Sequence, residues 1–214
     1  MHGVLTMAAV LALTASALAG QVVLRPEFVD ARGVSQWEID GSGQWRMAGS
    51  ILQLYSAGAP AGPIRKPAAM AIFKSEPVGD FTLDVDLRST APVDLEVRDV
   101  LLIFGYQSPT RFYYVHLSKR TDAVHNGIFL VRDADRKRLD APTSVGRLVD
   151  QEWHHLRLVR EVNSGRIQVF FDADQNPVLS VVDGTLPTGR VGVGSFDETA
   201  EFKGFEIRES ASGR

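Results

Sequence analysis

Asp99-Val-Leu-Leu-Ile-Phe-Gly-Tyr-Gln-Ser-Pro-Thr-Arg-Phe-Tyr-Tyr-Val-His-Leu-Ser118 is the stretch whose reading decides the fold. Apolar and aromatic residues fill Asp99–Tyr106 and Arg111–Ser118, and Gln107-Ser-Pro-Thr110 between them carries the turn residues. This is the pattern of a β-hairpin. With Tyr106 opposite Arg111, Phe104 faces Tyr113, Leu102 faces Val115 and Val100 faces Leu117, all on one apolar face. The other face carries Asp99 with Ser118, Leu101 with His116, Ile103 with Tyr114 and Gly105 with Phe112. Strand side chains alternate between faces, so a slip of one residue would scatter this second set.

The same period of two recurs along the chain. Phe81-Thr-Leu-Asp-Val-Asp-Leu87 sends Phe81, Leu83, Val85 and Leu87 to one side and Thr82, Asp84 and Asp86 to the other. Further runs are Ile51–Tyr55, Ala69–Phe73, Ile128–Val131, His155–Arg160 and Ile167–Phe171, followed by Val178–Val182, Arg190–Phe196 and Phe202–Ile207. Turn residues separate them, and no amphipathic run insists on a helix. So many short strands predict an all-β sandwich or barrel. Ser56–Ala68, rich in Pro and Gly, and the charge-dense Arg132–Pro142 read as loops.

Composition narrows the function classes. The chain has 214 residues, 23 Lys and Arg against 26 Asp and Glu, a net charge of −3 and no Cys. That balance speaks against nucleic acid as a partner. Without Cys there is no disulfide scaffold, thiolate metal site or cysteine nucleophile. Met1–Ala19 has an uncharged apolar stretch from Val4 and ends in Ala17-Leu18-Ala19, the pattern of a secretory signal peptide, although its first residues lack Lys and Arg. A buried N-terminal helix is the other reading. Export is therefore expected, to the periplasm or outside the cell, with no membrane anchor once the leader is cleaved. One domain over residues 20–209 follows, and residues 210–214 read as a disordered tail.

Several motifs fail on inspection. Asp172-x-Asp174-x-Asn176 starts like a calcium loop but puts Pro177 where Gly is needed. Gly189, Gly192 and Gly194 lie within a strand, where they suit close backbone approach better than phosphate binding. His154 and His155 point to opposite faces, which favours structural roles. Asp84 and Asp86 are roughly 6.5–7 Å apart by strand geometry, a spacing that suits a glycosidase acid/base pair and equally a solvated strand face.

The second hairpin face does not fail. Asp99, Tyr114 and His116 would line one patch, with Lys119, His125 and Asn126 at its edge and Gln107 near the turn. A few polar groups on an apolar surface suit a small ligand, here a sugar stacked on Tyr114, and Asp99 could orient His116 as a general base. The competing reading is a histidine hydrogen-bonded in a sheet whose second face is covered by loops.

Arg98-Asp-Val-Leu-Leu-Ile-Phe-Gly-Tyr-Gln107, Phe112-Tyr-Tyr-Val-His-Leu117 and Asn126-Gly-Ile-Phe-Leu-Val-Arg132 resemble bacterial concanavalin A-like jelly-roll proteins. Trp153-His-His-Leu-Arg-Leu, Gly165-Arg-Ile-Gln-Val-Phe-Phe-Asp172 and Gly189-Arg-Val-Gly-Val-Gly-Ser-Phe196 extend the likeness to laminin-G-like and 3-keto-disaccharide hydrolase domains. The resemblance spans Phe81 to Ile207. It implies two antiparallel sheets and a glycan on the concave face, bound or cleaved; fold alone does not choose between these. The Glu-x-Asp-x-x-Glu run of one glucanase branch is missing. On a 3-keto-glucoside, His116 would take the proton beside the keto group, Asp99 would orient it, and Lys119 would stabilise the developing charge. The resemblance also implies a structural calcium, for which Asp197 is the one candidate ligand. A non-catalytic laminin-G- or lectin-like module, binding a glycan or a protein, is the alternative.

Overall fold

The computed structural model describes residues 22–26 and 31–209. The leader Met1–Ala19 and the tail Ser210–Arg214 lie outside the described residues. Fifteen strands run through the rest: β1 Val22–Leu24, β2 Trp37–Gly41, β3 Gln44–Ala48, β4 Ile51–Ser56, β5 Ala69–Phe73, β6 Phe81–Ser89, β7 Asp99–Ser108 and β8 Arg111–Ser118. β9 Gly127–Arg132, β10 Lys137–Arg138, β11 His154–Glu161, β12 Arg166–Phe171, β13 Leu179–Val182, β14 Arg190–Ser195 and β15 Ala200–Glu209 complete the set. One 3-10 turn, Ala31–Gln36, leads into β2.

The strands form two antiparallel sheets. The first runs β13-β12-β11-β6-β15-β4-β3, with β1 also paired to β15; the second runs β10-β9-β8-β7-β14-β5-β2. Their facing sides form one core. Leu83, Val85 and Leu158 of the first sheet meet Leu102, Phe104 and Val115 of the second, all at most 1 % exposed. Each such side chain, taken from water, contributes about 1.5–3 kcal/mol. Tyr113 brings a hydroxyl into this core and is satisfied there: it donates to Asp183 and accepts from the Leu186 amide. Burial and the neighbouring Asp183 push its pKa up to about 12.

The expected hairpin register holds over Asp99–Phe104: Asp99 pairs with Ser118, Leu101 with His116, Ile103 with Tyr114 and Phe104 with Tyr113. Beyond Phe104 it changes. The strands continue to Ser108 and Arg111, which pair directly, and a β-bulge separates them from the regular part. The expected pairings of Tyr106 with Arg111 and Gly105 with Phe112 are therefore replaced. The cause is Gly105, whose φ of +58° places it in the left-handed region. The extra residue resets the alternation, so Tyr106 faces outward and stacks on Phe112 at 5.9 Å.

The glycines of β14 allow close approach, as the sequence suggested: a Cβ on Gly192 would sit 2.3 Å from the Ala71 carbonyl oxygen. β14 can thus lie between β7 and β5, and it brings Ser195 and Phe196 beside Asp99.

Candidate functional site

The outer face of the second sheet is itself apolar. Leu101, Ile103, Phe112, Tyr114, Phe129 and Ile72 are buried there in a second cluster. Two loops cover it. Ile64, from the loop between β4 and β5, packs onto the cluster, and the next residue ties that loop to the turn after β9. The Arg65 amide donates to Asp135 Oδ1 at 2.8 Å, and the Arg136 amide donates to the Arg65 carbonyl at 3.2 Å. The two segments read as loops thus form one lid.

At one end the lid leaves a cavity of about 220 Å³, lined by Arg65, Val97, Asp99, His116, His125, Arg136, Phe196 and Asp197. Asp99, 1 % exposed, anchors it: Oδ1 accepts from the Ser195 hydroxyl at 2.6 Å and the Phe196 amide at 2.8 Å. Its Oδ2 stands 3.5 Å from His116 Nε2, too long for a good hydrogen bond. His116 is also 1 % exposed, and neither ring nitrogen has a hydrogen-bond partner. Its ring lies parallel to Phe196 at 6.0 Å and edge-on to His125 at 5.5 Å. Buried polar atoms are nearly always paired, so an unpaired imidazole at a cavity leaves hydrogen-bonding capacity that a water or a ligand can fill.

His125 is held by Asp122, whose Oδ1 lies 2.8 Å from Nδ1. Burial works to raise the Asp122 carboxyl, but hydrogen bonds from the Val124 amide and His125 outweigh it and hold it low. Asp197 behaves oppositely: burial of its carboxyl and the charge of Asp99 push its pKa up. Glu198 is raised by burial, then by Asp197 and Asp99. Behind the cavity Arg98 is completely buried and donates to the Ser89 carbonyl at 2.9 Å. Its charge opposes the rise at Glu198.

Four of the residues picked from the sequence, Asp99, His116, His125 and Asp197, come together in this cavity. Four others do not line it. Tyr114 is completely buried, stacked on Phe129 at 5.1 Å, with Arg136 bonded to its hydroxyl at 3.4 Å. It offers no free ring face to a sugar, because the lid covers that part of the sheet. Gln107 lies at the far end of β7 from Asp99 and donates to the Thr188 carbonyl at 3.0 Å. Lys119 turns away to pair with Glu96 at 2.6 Å and to bond the Val93 carbonyl. Asn126, at a φ of +51°, is a turn residue: its amide bonds Thr121, Ser144 and Val145.

Sequence reasoning missed Arg65, Arg136 and Phe196. The two guanidinium groups lie over the Phe196 ring at 5.0 and 4.1 Å. The only signal for the arginines was their position in loops, since loops carry no period that places a side chain on a face.

A calcium ion at Asp197 would take one carboxylate and backbone carbonyls. Among the described residues no group of three or more His, Asp or Glu side chains is placed to hold a metal ion. Asp99 Oδ1 is already taken by two donors, and the Arg65 guanidinium shares the cavity with Asp197.

A larger cavity of about 550 Å³ lies on the outer face of the first sheet, beside His155, Arg157, Phe170 and Arg208. Its charged groups satisfy one another. Asp84 accepts from Arg157 at 2.8 Å and Arg208 at 2.5 Å, and lies 3.1 Å from His155 Nε2. Asp86 lies 2.9 Å from the other nitrogen of His155. Asp84 and Asp86 are thus neither a free acid/base pair nor a freely solvated face. His154 is likewise held on both sides, by Asp172 at 2.9 Å and Asp150 at 3.0 Å.

No family model matches the chain, and no curated protein does. Solved structures do. The carbohydrate-binding module CBM66 from Bacillus subtilis superposes with a TM-score of 0.64 at 16% identity, over 81% of this chain and 96% of that one. Winged bean acidic lectin, complexed with methyl-α-D-galactose, gives 0.59 at 10% identity over 88% and 98%. The GH43 protein BlXynB from Bacillus licheniformis gives 0.54 at 11% identity, over 82% of this chain but only 37% of that one. At these identities the likeness speaks for architecture alone, and it agrees with the strand order: the chain is a two-sheet antiparallel jelly roll of the concanavalin A-like type.

Proposed function

We propose that the protein binds a carbohydrate in the cavity between Asp99, His116 and Asp197. The observation that carries this is His116, buried to 1 % with two unpaired ring nitrogens at the wall of a cavity. Sugar hydroxyls both donate and accept, so one hydroxyl can serve His116 while donating to Asp99 Oδ2. The volume, about 220 Å³, is below the roughly 300–1,000 Å³ of drug-sized pockets and suits one ring at the end of a chain. Structural neighbours that include a carbohydrate-binding module and a sugar-bound lectin support the reading. Export through the leader completes it, tested by the N-terminal residue of the protein recovered outside the cytoplasm.

Cleavage is the second reading, favoured by Asp99 Oδ2 facing His116 Nε2 at 3.5 Å. Catalytic hydrogen bonds often tighten only around substrate. With a 3-keto-glucoside, His116 would remove the C2 proton next to the keto group; the electron pair would form the C1–C2 double bond as the C1–O bond breaks, and the departing oxygen would take the proton back from His116. Lys119, held by Glu96, is not at hand to stabilise the resulting charge; Arg65 and Arg136 are.

Calorimetry with a panel of oligosaccharides, and mass spectrometry of 3-keto-disaccharides incubated with the protein, test both. A glycan should bind, and His116→Ala should weaken it at least tenfold, with a lower Tm because the ring it removes is packed among Tyr114, Phe129 and Phe196; His116→Gln, which keeps more of the volume, should weaken binding with a smaller loss of Tm. Product that disappears in the variant would make the protein an enzyme. If no glycan binds, or if His116→Ala binds as well as the parent, the cavity is not the site.

A further inference from the structure

The cavity holds two arginines without an acidic partner. Among the described residues neither Arg65 nor Arg136 makes a salt bridge; Arg65 rests over Phe196, and Arg136 lies over Phe196 and Phe129 and bonds only the Tyr114 hydroxyl. Most other arginines near a carboxylate on this molecule are paired, among them Arg88 with Glu201, Arg138 with Asp140, Arg157 with Asp84 and Arg190 with Glu38. Holding two like charges against one ring is electrostatically unfavourable until an anion arrives.

The acidic side of the cavity does not supply that anion. Asp99 directs Oδ1 to Ser195 and Phe196 and its other oxygen to His116. Asp197 shares the cavity and senses the charge of Arg65, yet it forms no ion pair with Arg65 or Arg136. A guanidinium presents a planar fork that matches a carboxylate with two parallel hydrogen bonds. Contact with the Phe196 ring holds both guanidinium groups at the cavity wall, and apart from the bond of Arg136 to the Tyr114 hydroxyl their N–H groups are left to donate.

We infer that the ligand is an acidic sugar, a uronate whose carboxylate is taken by Arg65 and Arg136 while its ring hydroxyls meet His116 and Asp99. This rests on the carbohydrate reading above and adds the ligand's charge. It also separates the natural ligand from a 3-keto-glucoside, which carries no charge.

Calorimetry at pH 7 with glucuronate- and galacturonate-ended disaccharides, each beside its glucose- or galactose-ended counterpart and a sulfated galactose disaccharide, tests it. One uronate should bind about tenfold tighter than its neutral counterpart, the worth of a charge-assisted bidentate contact. The preference should shrink as salt rises from low to 0.5 M. In Arg65→Gln with Arg136→Gln it should fall to within about twofold. Arg65→Gln alone, at an exposed residue, should halve the preference or more without affecting folding. Equal affinity for neutral and acidic sugars, equal affinity for the sulfate ester, or a preference that survives both substitutions overturns the inference and leaves the carbohydrate reading standing. Binding of none of these sugars overturns the carbohydrate reading itself.

Discussion

Two aspartate–histidine pairs lie on the outward faces of the two sheets, and only one of them is saturated. On the first sheet Asp84 takes hydrogen bonds from Arg157 and Arg208, while His155 stands between Asp84 and Asp86. On the second sheet Asp99 is as deeply buried, yet His116 faces it at 3.5 Å with no hydrogen bond on either nitrogen. Similar residue types thus give a stabilising network in one place and a receptive cavity in the other. What differs is the supply of partners. The neighbouring strands β11 and β15 bring Arg157 and Arg208 to Asp84, whereas aromatic rings surround His116 and the nearby arginines lie over those rings.

Removing each carboxylate should expose that difference. Asp84→Ala should cost about 3 kcal/mol, near the low edge of the ~3–5 kcal/mol for breaking a buried pair. The reduction arises because Arg157, Arg208 and His155 are 34–49% exposed and water can solvate them again. Ligand affinity should not change. The effect should also depend on pH. Burial works against the charged form of Asp84, but hydrogen bonds from Arg157, His155 and Arg208 outweigh it and lower its pKa. The native state therefore binds fewer protons there than the unfolded chain, and the stability is present above the unfolded value, about 3.9. It is lost as pH falls through the folded value. Urea midpoints of parent and variant should differ at pH 7 and draw together as pH falls through the lowered folded-state value; a constant gap would contradict the ion-pair account.

Ser195→Ala tests the other pair. The Ser195 hydroxyl donates to Asp99 at 2.6 Å and accepts from the Glu198 amide at 2.9 Å. Losing a hydrogen bond to a buried charge should cost about 1.5–3 kcal/mol. Here affinity should fall with stability, several-fold, because Asp99 loses the contact that aims Oδ2 at the cavity. Unchanged affinity in a destabilised protein would detach Asp99 from the site.

The same contrast explains what the sequence made legible. Eleven strands were visible because one side of each must be buried, and period two records that. β3, at the edge of its sheet, was missed because only Trp45 and Met47 turn inward in a five-residue strand; β10 has two residues and no period at all. Pairing parity placed Asp99 and His116 on one face, and the structure agrees. Parity says nothing of what lies above that face, so Tyr114 was expected open and is covered. Gly105 was expected opposite Phe112, but its positive φ makes the bulge that turns Tyr106 outward. Arg65 and Arg136 arrive from loops 71 positions apart in a sequence that gives no hint of their meeting, and two hydrogen bonds donated by their backbone amides, one to the Asp135 carboxylate and one to the Arg65 carbonyl, set their approach.

The smallest effect expected is also the one that most sharply divides the two pairs. Asp197 is raised by burial and by Asp99, so the folded state holds its proton more tightly than the unfolded chain does. That stability is fully present below the unfolded pKa and is lost as pH rises through the folded value. At pH 7 the ionised carboxylate is therefore a burden, and Asp197→Asn should stabilise the protein by about 0.5 kcal/mol, a small figure because solvent reaches much of this residue. Asp84→Ala has the opposite sign at the same pH. Replacing Asp197 also removes a negative charge from the cavity, so a uronate should bind somewhat tighter and a neutral sugar no better. If the variant is instead less stable at pH 7, Asp197 is a paired group after all, and the two outward faces are built on the same plan.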